Sequence, residues 1–290
     1  MSFTRKQISV TITLGLGQFG DDGSDTVTLT GHRTVVNIGC AGGESMGALQ
    51  MRMYGLKADL INRLTTIGPI ATEIRAKNTV RISAGDDVHG LSEIFVGTIN
   101  EAWGDYQGAP DVSFNLTGFA GLLDAVKPVP PTGFQGSADV ATILQALAAT
   151  MGAVFENNGV SAQLSNPYFP GTAWQQVQAC ARAADIRCAL DKGTLAIWPK
   201  TGARAGGIPV IGPDSGLVGY PAFSSNGMAL TMAFNPSIQI GGQVQVNSSI
   251  PMASGLWNVS NVNHALECER PGGAWFTQIQ CFPATETGLK

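Results

Sequence analysis

Two short stretches of this sequence carry residue types at spacings that enzymes use. Gly15-Leu16-Gly17-Gln18-Phe19-Gly20 has the Gly-x-Gly-x-x-Gly spacing of a dinucleotide-binding turn and follows the alternating run Ile8, Val10, Ile12, Leu14. That turn works because its last glycine opens a helix whose N-terminus faces the pyrophosphate. Here the chain passes into the acidic turn cluster Asp21-Asp22-Gly23-Ser24-Asp25 and another strand-like run, so a flexible glycine loop is expected. Gly43-Glu44-Ser45-Met46-Gly47 has the Gly-x-Ser-x-Gly spacing of a nucleophile elbow, for which His264 would be the downstream base. An elbow presents its serine where a strand turns into a helix. Residues 48–54 instead alternate, with Leu49, Met51 and Met53 on one face and Gln50, Arg52 and Tyr54 on the other, so a glycine turn between strands is expected.

The remaining reactive side chains are scattered. His32, His89 and His264 are far apart and are read as having no second histidine or carboxylate at metal-ligand spacing; His264 is expected at a strand end, bonded to backbone. Asp21-Asp22 and Asp86-Asp87 are expected to be solvated acids on turns. Cys40, Cys180, Cys188, Cys268 and Cys281 are odd in number and contain no Cys-x-x-Cys pair, which points to buried or free thiols in a reducing cytosol. No catalytic, cofactor-binding or metal-ligating residue is expected, no cofactor, and no enzyme.

Composition narrows the function classes. Charged residues make up 13% of the 290 residues, against an average of about 25%. The surface must therefore be largely uncharged, which suits a chain that buries itself against partners, since charge is depleted from interface cores. A net charge of −4 without a Lys/Arg run argues against a dedicated nucleic-acid binder. The start of the chain alternates where a signal peptide would be continuously apolar, and no stretch approaches the about 20 apolar residues of a membrane helix. A soluble protein without a membrane anchor is expected.

Periodicity supplies the elements that position these residues. Short strands are expected at 8–14, 27–30, 34–38, 49–54, 80–84, 94–99 and 112–116, with one short helix at 57–65. Pro128, Pro130 and Pro131 break the chain. A helix over 139–148 follows, with Ser137 or Asp139 as N-cap, then a second over 172–184 with Trp174, Val177, Ala181 and Ala184 on one face. Residues 186–190 and 194–198 form a hairpin around Asp191-Lys192-Gly193. Residues 201–216 are a second Gly/Pro-rich connector, and strands at 228–232, 243–246, 256–259 and 275–280 suggest a barrel. The expected fold is mainly β with an α+β insertion: a tube-like β-barrel domain at 1–125, a small α/β middle domain at 126–205, and a second tube-like β-barrel domain at 206–290.

The order of these blocks resembles the tail hub family of phages, which is shared with the spike base of type VI secretion systems. In the first block the resemblance rests on Gly47-Ala48-Leu49-Gln50-Met51-Arg52-Met53-Tyr54-Gly55-Leu56, then Asp59-Leu60-Ile61-Asn62-Arg63-Leu64, Phe95-Val96-Gly97-Thr98-Ile99 and Pro110-Asp111-Val112. In the middle it rests on Trp174 to Asp185 and the hairpin ending Leu195-Ala196-Ile197-Trp198-Pro199. The last block carries Gly216-Leu217-Val218-Gly219-Tyr220-Pro221, the run Phe234-Asn235-Pro236 to Gly241-Gly242-Gln243-Val244, then Gly255-Leu256-Trp257-Asn258-Val259, His264 and Trp275.

The resemblance implies a homotrimeric ring in which each chain supplies two tube-like domains, six similar units around a channel. The two blocks, about 1–125 and about 206–290, would then share a fold and be related by roughly 60° in the ring. The role would be mechanical: to cap the six-fold tail tube and join it to a three-fold spike, with a lumen for DNA that an acidic chain keeps from sticking. Partners would be other copies of the chain, the tail tube protein, the tape measure protein, other tail-tip or baseplate proteins and the spike, with DNA only in transit. The place would be the virion tail tip or baseplate, assembled in the host bacterial cytoplasm. No lysozyme-like or peptidase module is evident, so a cell-wall-degrading role is not expected. Three alternatives stay open: the hub of a secretion or bacteriocin particle, an esterase using Ser45 and His264, and a carbohydrate-binding protein of the tail tip.

Overall fold

The computed structural model describes residues 4–19, 23–43, 45–66, 78–225 and 227–284. Strands take up 50% of the chain and helices 15%, so the fold is mainly β, as the alternation implies. The chain forms two compact units, each assembled from separate stretches: Met1–Gly39, Gly47–Leu123 and His264–Trp275 make the first, and Cys40–Met46, Asp124–Asn263 and Phe276–Lys290 the second.

In the first unit the strands are β1 (Lys6–Thr13), β2 (Thr26–Leu29), β3 (Thr34–Ala41), β4 (Ala48–Tyr54), β5 (Thr79–Asp86), β6 (Gly90–Asp105) and β7 (Ser113–Phe119), with helix α1 (Ala58–Leu64) between β4 and β5. They pair antiparallel in the order β2-β1-β5-β6-β7-β4-β3. Residues directly opposite in such a ladder share a face, so one buried row recruits the next: Val10 lies across from Ile82 and Ile82 from Phe95, while Met51 lies across from Leu116. All five are buried, and so are Ile8, Ile12, Leu49, Met53 and Val80. α1 reaches β6 closely because Gly104 has no side chain; a Cβ there would stand 2.6 Å from Ile61 Cγ2. Ile61 and Leu64 are the buried residues of that helix.

The second unit opens on α2 (Leu122–Val126), whose bounds straddle the division. An α/β portion follows, with the small ribbon strands β8 (Thr132–Gly133) and β9 (Ser137–Asp139), α3 (Val140–Thr150), β10 (Val154–Asn157), β11 (Gln163–Ser165), β12 (Tyr168–Phe169), α4 (Ala173–Ala183), β13 (Ile186–Asp191) and β14 (Thr194–Pro199). Both longer helices start on side-chain caps that satisfy otherwise orphaned N–H groups. Asp139 accepts from the Thr142 N–H at 2.9 Å, and Thr172 and Gln175 form a reciprocal capping box. Their inner faces, Ile143, Leu144 and Leu147 on α3 and Trp174, Val177 and Cys180 on α4, join one core with Leu195 and Ile197. β13 and β14 make the expected hairpin, and Lys192 (φ 50) and Gly193 (φ 74) at its tip adopt the left-handed conformation that a two-residue turn of this kind needs. β10 joins the hairpin in parallel with β14.

The closing strands are β15 (Val210–Ile211), β16 (Leu217–Ser224), β17 (Gly227–Ala233), β18 (Gln243–Val246), β19 (Gly255–Cys268) and β20 (Trp275–Pro283). Their order is β16-β17-β20-β19, with β18 against β19 and β15 against β18. They enclose Met228, Leu230, Met232, Val244, Trp257, Val259 and Ile279. Among the described residues, no pairing of β2 with β3 or of β15 with β16 closes the strands of either unit into the barrel that the sequence suggested.

What binds the α/β portion to the closing strands is a clamp around Arg204. This side chain, 6% exposed, donates through Nε and Nη2 to the two carboxylate oxygens of Glu156 at 2.9 and 2.8 Å, and through Nη1 to Asp191 at 3.0 Å. Its backbone N–H donates to the Gly241 carbonyl at 2.7 Å, and the Gly241 N–H donates to Val259 at 3.0 Å. Lys192 Nζ reaches the Pro236 carbonyl at 2.9 Å. Beneath these bonds Trp198 packs with Ala189, Ala196 and Ile240. Gly241 has φ +76, and a Cβ there would stand 2.4 Å from Trp198 Cζ2. The glycine pair at the start of β18 is thus a place where the indole and the backbone meet directly. Burial opposes the charge on Arg204, yet the two carboxylates outweigh it and raise its pKa, while the hydrogen bond from Arg204 holds the Glu156 carboxyl below its ordinary range.

Three outcomes follow from the clamp. Gly241→Ala lowers stability by about 2 kcal/mol or more, because overpacking costs about 1–3 kcal/mol and positive φ penalises any Cβ; the readout is a lower urea midpoint at unchanged slope. Arg204→Met leaves Asp191 buried and Glu156 half-buried without their partner and costs about 3 kcal/mol, the lower end for a buried pair because water screens Glu156. Most of that cost returns when Glu156→Gln and Asp191→Asn are added. Because the folded Glu156 pKa is depressed, its contribution is present above the unfolded value of about 4.3 and is lost as pH falls below it, so thermal melts of the wild type, but not of the triple variant, show that component.

Candidate functional site

Among the described residues, neither motif that looked catalytic is followed by the helix its chemistry requires. Gly15 to Gly17 form a bend after β1, Phe19 and Ser24 make an isolated bridge, and the next regular element is the strand β2. Gly20, Asp21 and Asp22 lie outside the described residues. Ser45 sits in the loop that leads into β4, so a strand and not a helix follows it; Glu44 is outside the described residues. A cleft of about 310 Å³ opens beside Gly42 and Gly43, and its lining, which includes Arg182, Arg187, Cys188 and Trp198, contains neither a histidine nor a carboxylate to act as a base. Burial pushes the Cys188 thiol up to about 11, away from the nucleophilic thiolate.

Two expectations about histidine need correction. His264 is not at a strand end: it lies inside the 14-residue strand β19 and is 2% exposed. His89 does have a carboxylate nearby, with Nδ1 2.9 Å from Asp86 Oδ1, because the turn between β5 and β6 folds i and i+3 together. The contact organises the turn. The Asp86 carboxylate also accepts from the backbone N–H groups of His89 (2.7 Å) and Val88 (2.9 Å), and these bonds, those from His89 first, draw its pKa down to about 2. Asp87 accepts from the Arg5 N–H at 3.0 Å. His32 faces the Tyr54 carbonyl at 3.2 Å. All five cysteines are free thiols, and burial pushes Cys40, Cys180 and Cys281 up to about 12. Among the described residues no group of three or more His, Cys, Asp or Glu side chains could hold a metal ion.

The features left for function are surfaces. In the second unit, register sorts the closing strands into two faces. Inward rows are Leu217, Met232 and Thr277, then Leu230 and Ile279, then Phe223, Met228 and Cys281. Outward rows are Val218, Thr231 and Gln278, then Ala222, Ala229 and Gln280, then Ala233 and Phe276. No charged side chain stands in the outward rows. The face ends at the edge strand β16, where Val218 (45%) and Tyr220 (75%) are exposed; Phe223, on the inward side by register, is exposed at the rim (52%). An uncharged sheet face that ends, among the described residues, on an apolar edge strand invites pairing with another chain, and soluble proteins normally protect such edges with charge. β16 itself was missed in the sequence because Gly219 and Pro221 interrupt the alternation; a bulge between Val218 and Ala222 absorbs them.

Comparison with known proteins agrees with an assembly role. The sequence profile of the family described as Baseplate hub gp41 matches residues 53–271. No curated protein sequence matches the chain. Among solved structures, a tail protein from Neisseria meningitidis superposes with a TM-score of 0.63 at 11% identity, over 94% of this chain and 96% of that one. A 43 kDa tail protein of prophage MuSo2 from Shewanella oneidensis gives 0.64 at 10% identity, over 97% and 98%. An Escherichia coli component of the type VI secretion system, itself described as similar to the T4 bacteriophage tail proteins gp27 and gp5, gives 0.60 at 10% identity, over 89% and 75%. At these identities the likeness is one of fold.

Ser45→Ala is expected to leave both thermal stability and incorporation into particles unchanged, because the loop leads into the strand β4 and, among the described residues, the cleft beside Gly42 and Gly43 has no histidine or carboxylate in its lining. Loss of a measurable ester hydrolysis in the variant would contradict this.

Proposed function

Because this chain belongs to the Baseplate hub gp41 family, we propose that it caps the tail tube of a phage and joins it to the tail-tip spike. It is a structural phage tail protein of the baseplate or tail tip. In the proposed arrangement three copies form a ring around a lumen for DNA. Each copy contributes two tube-like β domains, about 1–125 and about 206–290, with the α/β portion at 126–205 as an insertion. A trimer that meets a six-fold tube offers three contacts for six sites unless each chain carries two equivalent domains, and closed rings favour repeated interfaces.

The observation that carries the reading is the family match across residues 53–271. The uncharged outward rows of β17 and β20 support it, because they supply what an interface core requires. The net charge of −4 suits a channel that DNA must pass without sticking. The partners in this reading are further copies of the chain, the tail tube protein, the tape measure protein, the spike and neighbouring baseplate proteins, with assembly in the host cytoplasm. A second reading, the hub of a secretion or bacteriocin particle, is favoured by the likeness to the Escherichia coli secretion component; genes beside this one that encode a capsid and terminase, or lack them, separate the two.

Purified protein is expected to run as a trimer in light scattering and to show rings in negative stain. Ala229→Glu and Thr231→Glu, on the outward face, are expected to leave the fold and melting temperature of the single chain intact while abolishing rings. A protein that stays monomeric with and without tube protein, and that antibodies do not find at tail tips, would remove the hub reading.

A further inference from the structure

The first unit carries a groove of about 580 Å³ whose lining lies mostly on the sheet face opposite its core. Register builds it. Arg52 stands between the buried Met51 and Met53 and points the other way, across from Val35 on β3 and Asn115 on β7, and Asn115 lies across from Trp103 on β6. Arg33 enters from the chain just before β3 with its guanidinium 4.6 Å from the centre of the Tyr54 ring, and Arg270 follows the end of β19.

The charge balance in this groove opposes that of the chain. Three arginines meet one lining carboxylate, Glu267, in a protein of net charge −4. Glu267 Oε1 accepts from Arg33 Nε and Nη2 at 3.2 and 3.1 Å and from Arg270 Nη1 at 3.3 Å. One carboxylate oxygen thus serves two guanidinium groups and leaves excess positive charge. Arg52 is engaged only through Nε, which donates to Asn115 Oδ1 at 3.0 Å, so among the described residues its two terminal nitrogens are available. Beside it the Trp103 ring is 38% exposed. Arginine, tryptophan and tyrosine are the side chains that most often carry the energy of a protein interface, and a guanidinium fork fits a carboxylate in two parallel bonds.

We propose that this groove docks an acidic segment of a partner protein, with a carboxylate on Arg52 and Arg270 and a neighbouring apolar side chain on Trp103. A protein carboxylate fits better than a nucleic-acid backbone. Glu101 and Asp105 lie on the same face, across from Thr117 and Ser113 but outside the groove's lining, so the positive charge is confined to this groove, whereas a phosphate track needs a continued run of cations. The groove lies within one unit, so the proposal does not depend on the ring.

The test is fluorescence anisotropy on the full chain, with a fluorescein-labelled hexaglutamate peptide ending in leucine and, separately, a labelled 12-base-pair DNA duplex. The peptide is expected to bind, to weaken with added salt, and to lose about tenfold or more in affinity with Arg52→Ala and with Arg270→Ala. Arg81→Ala, at the exposed pair with Glu93 outside the groove, is expected to change nothing. Arg52→Gln checks that the loss does not come from misfolding, since it keeps the stem and the hydrogen bond to Asn115. No peptide binding, or binding indifferent to Arg52 and Arg270, overturns the proposal, and so does DNA that binds at these arginines in preference to the peptide. Oligomeric state measured on the same samples keeps the two readings separate: a monomer that binds the peptide contradicts the ring and leaves the groove standing.

Discussion

Taking a guanidinium out of water costs several kcal/mol unless carboxylates surround it, and the second unit is organised around one that has been taken out. Arg204 draws Glu156 from β10 and Asp191 from the tip of β13 to a point in the Gly/Pro-rich connector, and its backbone holds Gly241 at the start of the closing strands. Once these bonds are made, the connector cannot act as a free linker. The α/β portion and the closing strands become one compact unit, although Pro and Gly punctuate the sequence between them. Trp198 against Gly241 and Ile240 is the apolar half of the same contact. Removing the Arg204 charge leaves Asp191, 11% exposed, buried without that partner, while Glu156, at 34%, still reaches water.

That rigidity suits the proposed function, in which the part must hold its shape under load. The outward rows of β17 and β20 carry Ala, Thr, Gln and Phe with no charge, and they can serve as an interface only if the strands behind them do not shift. In the first unit the non-core face is built differently, from arginines, asparagines and a partly shielded glutamate. An uncharged face suits extended contact with few directional bonds, and a charged groove suits discrete recognition of one segment. In the proposed function, a hub that meets several different partners would have use for both.

Much of this was legible in the sequence. The alternation in β1, β4 and β5 placed core residues correctly because a half-buried strand has a strict period of two. Asp139, one of two cap candidates with Ser137, is the residue that caps α3, and Thr172, expected as the first residue of α4, is its cap, while Lys192-Gly193 marked the hairpin because its turn needs positive φ. The glycine and serine motifs were rejected for lack of a following helix, and the described residues have none there. Other features rest on contacts distant in sequence. Arg204 lies in the connector at 201–216 and nothing in the sequence singles it out, since its partners lie 48 and 13 residues away. β10 was missed because four residues, Val154–Asn157, are too few to show a period. The His89 and Asp86 contact depends on a turn geometry that spacing alone does not reveal. The groove arises from register among four strands, and no single stretch of sequence contains it.

The central claim is that the buried Arg204 clamp makes the α/β portion and the closing strands one cooperative element. Native-state hydrogen exchange across low denaturant concentrations tests it directly, by comparing opening free energies of core amides in β13 and β14 with those in β17 and β19. The account predicts a single shared value for both groups in the wild type, and two separate values once Arg204→Met is introduced. Two values already present in the wild type, or a shared value that survives the substitution, would contradict it.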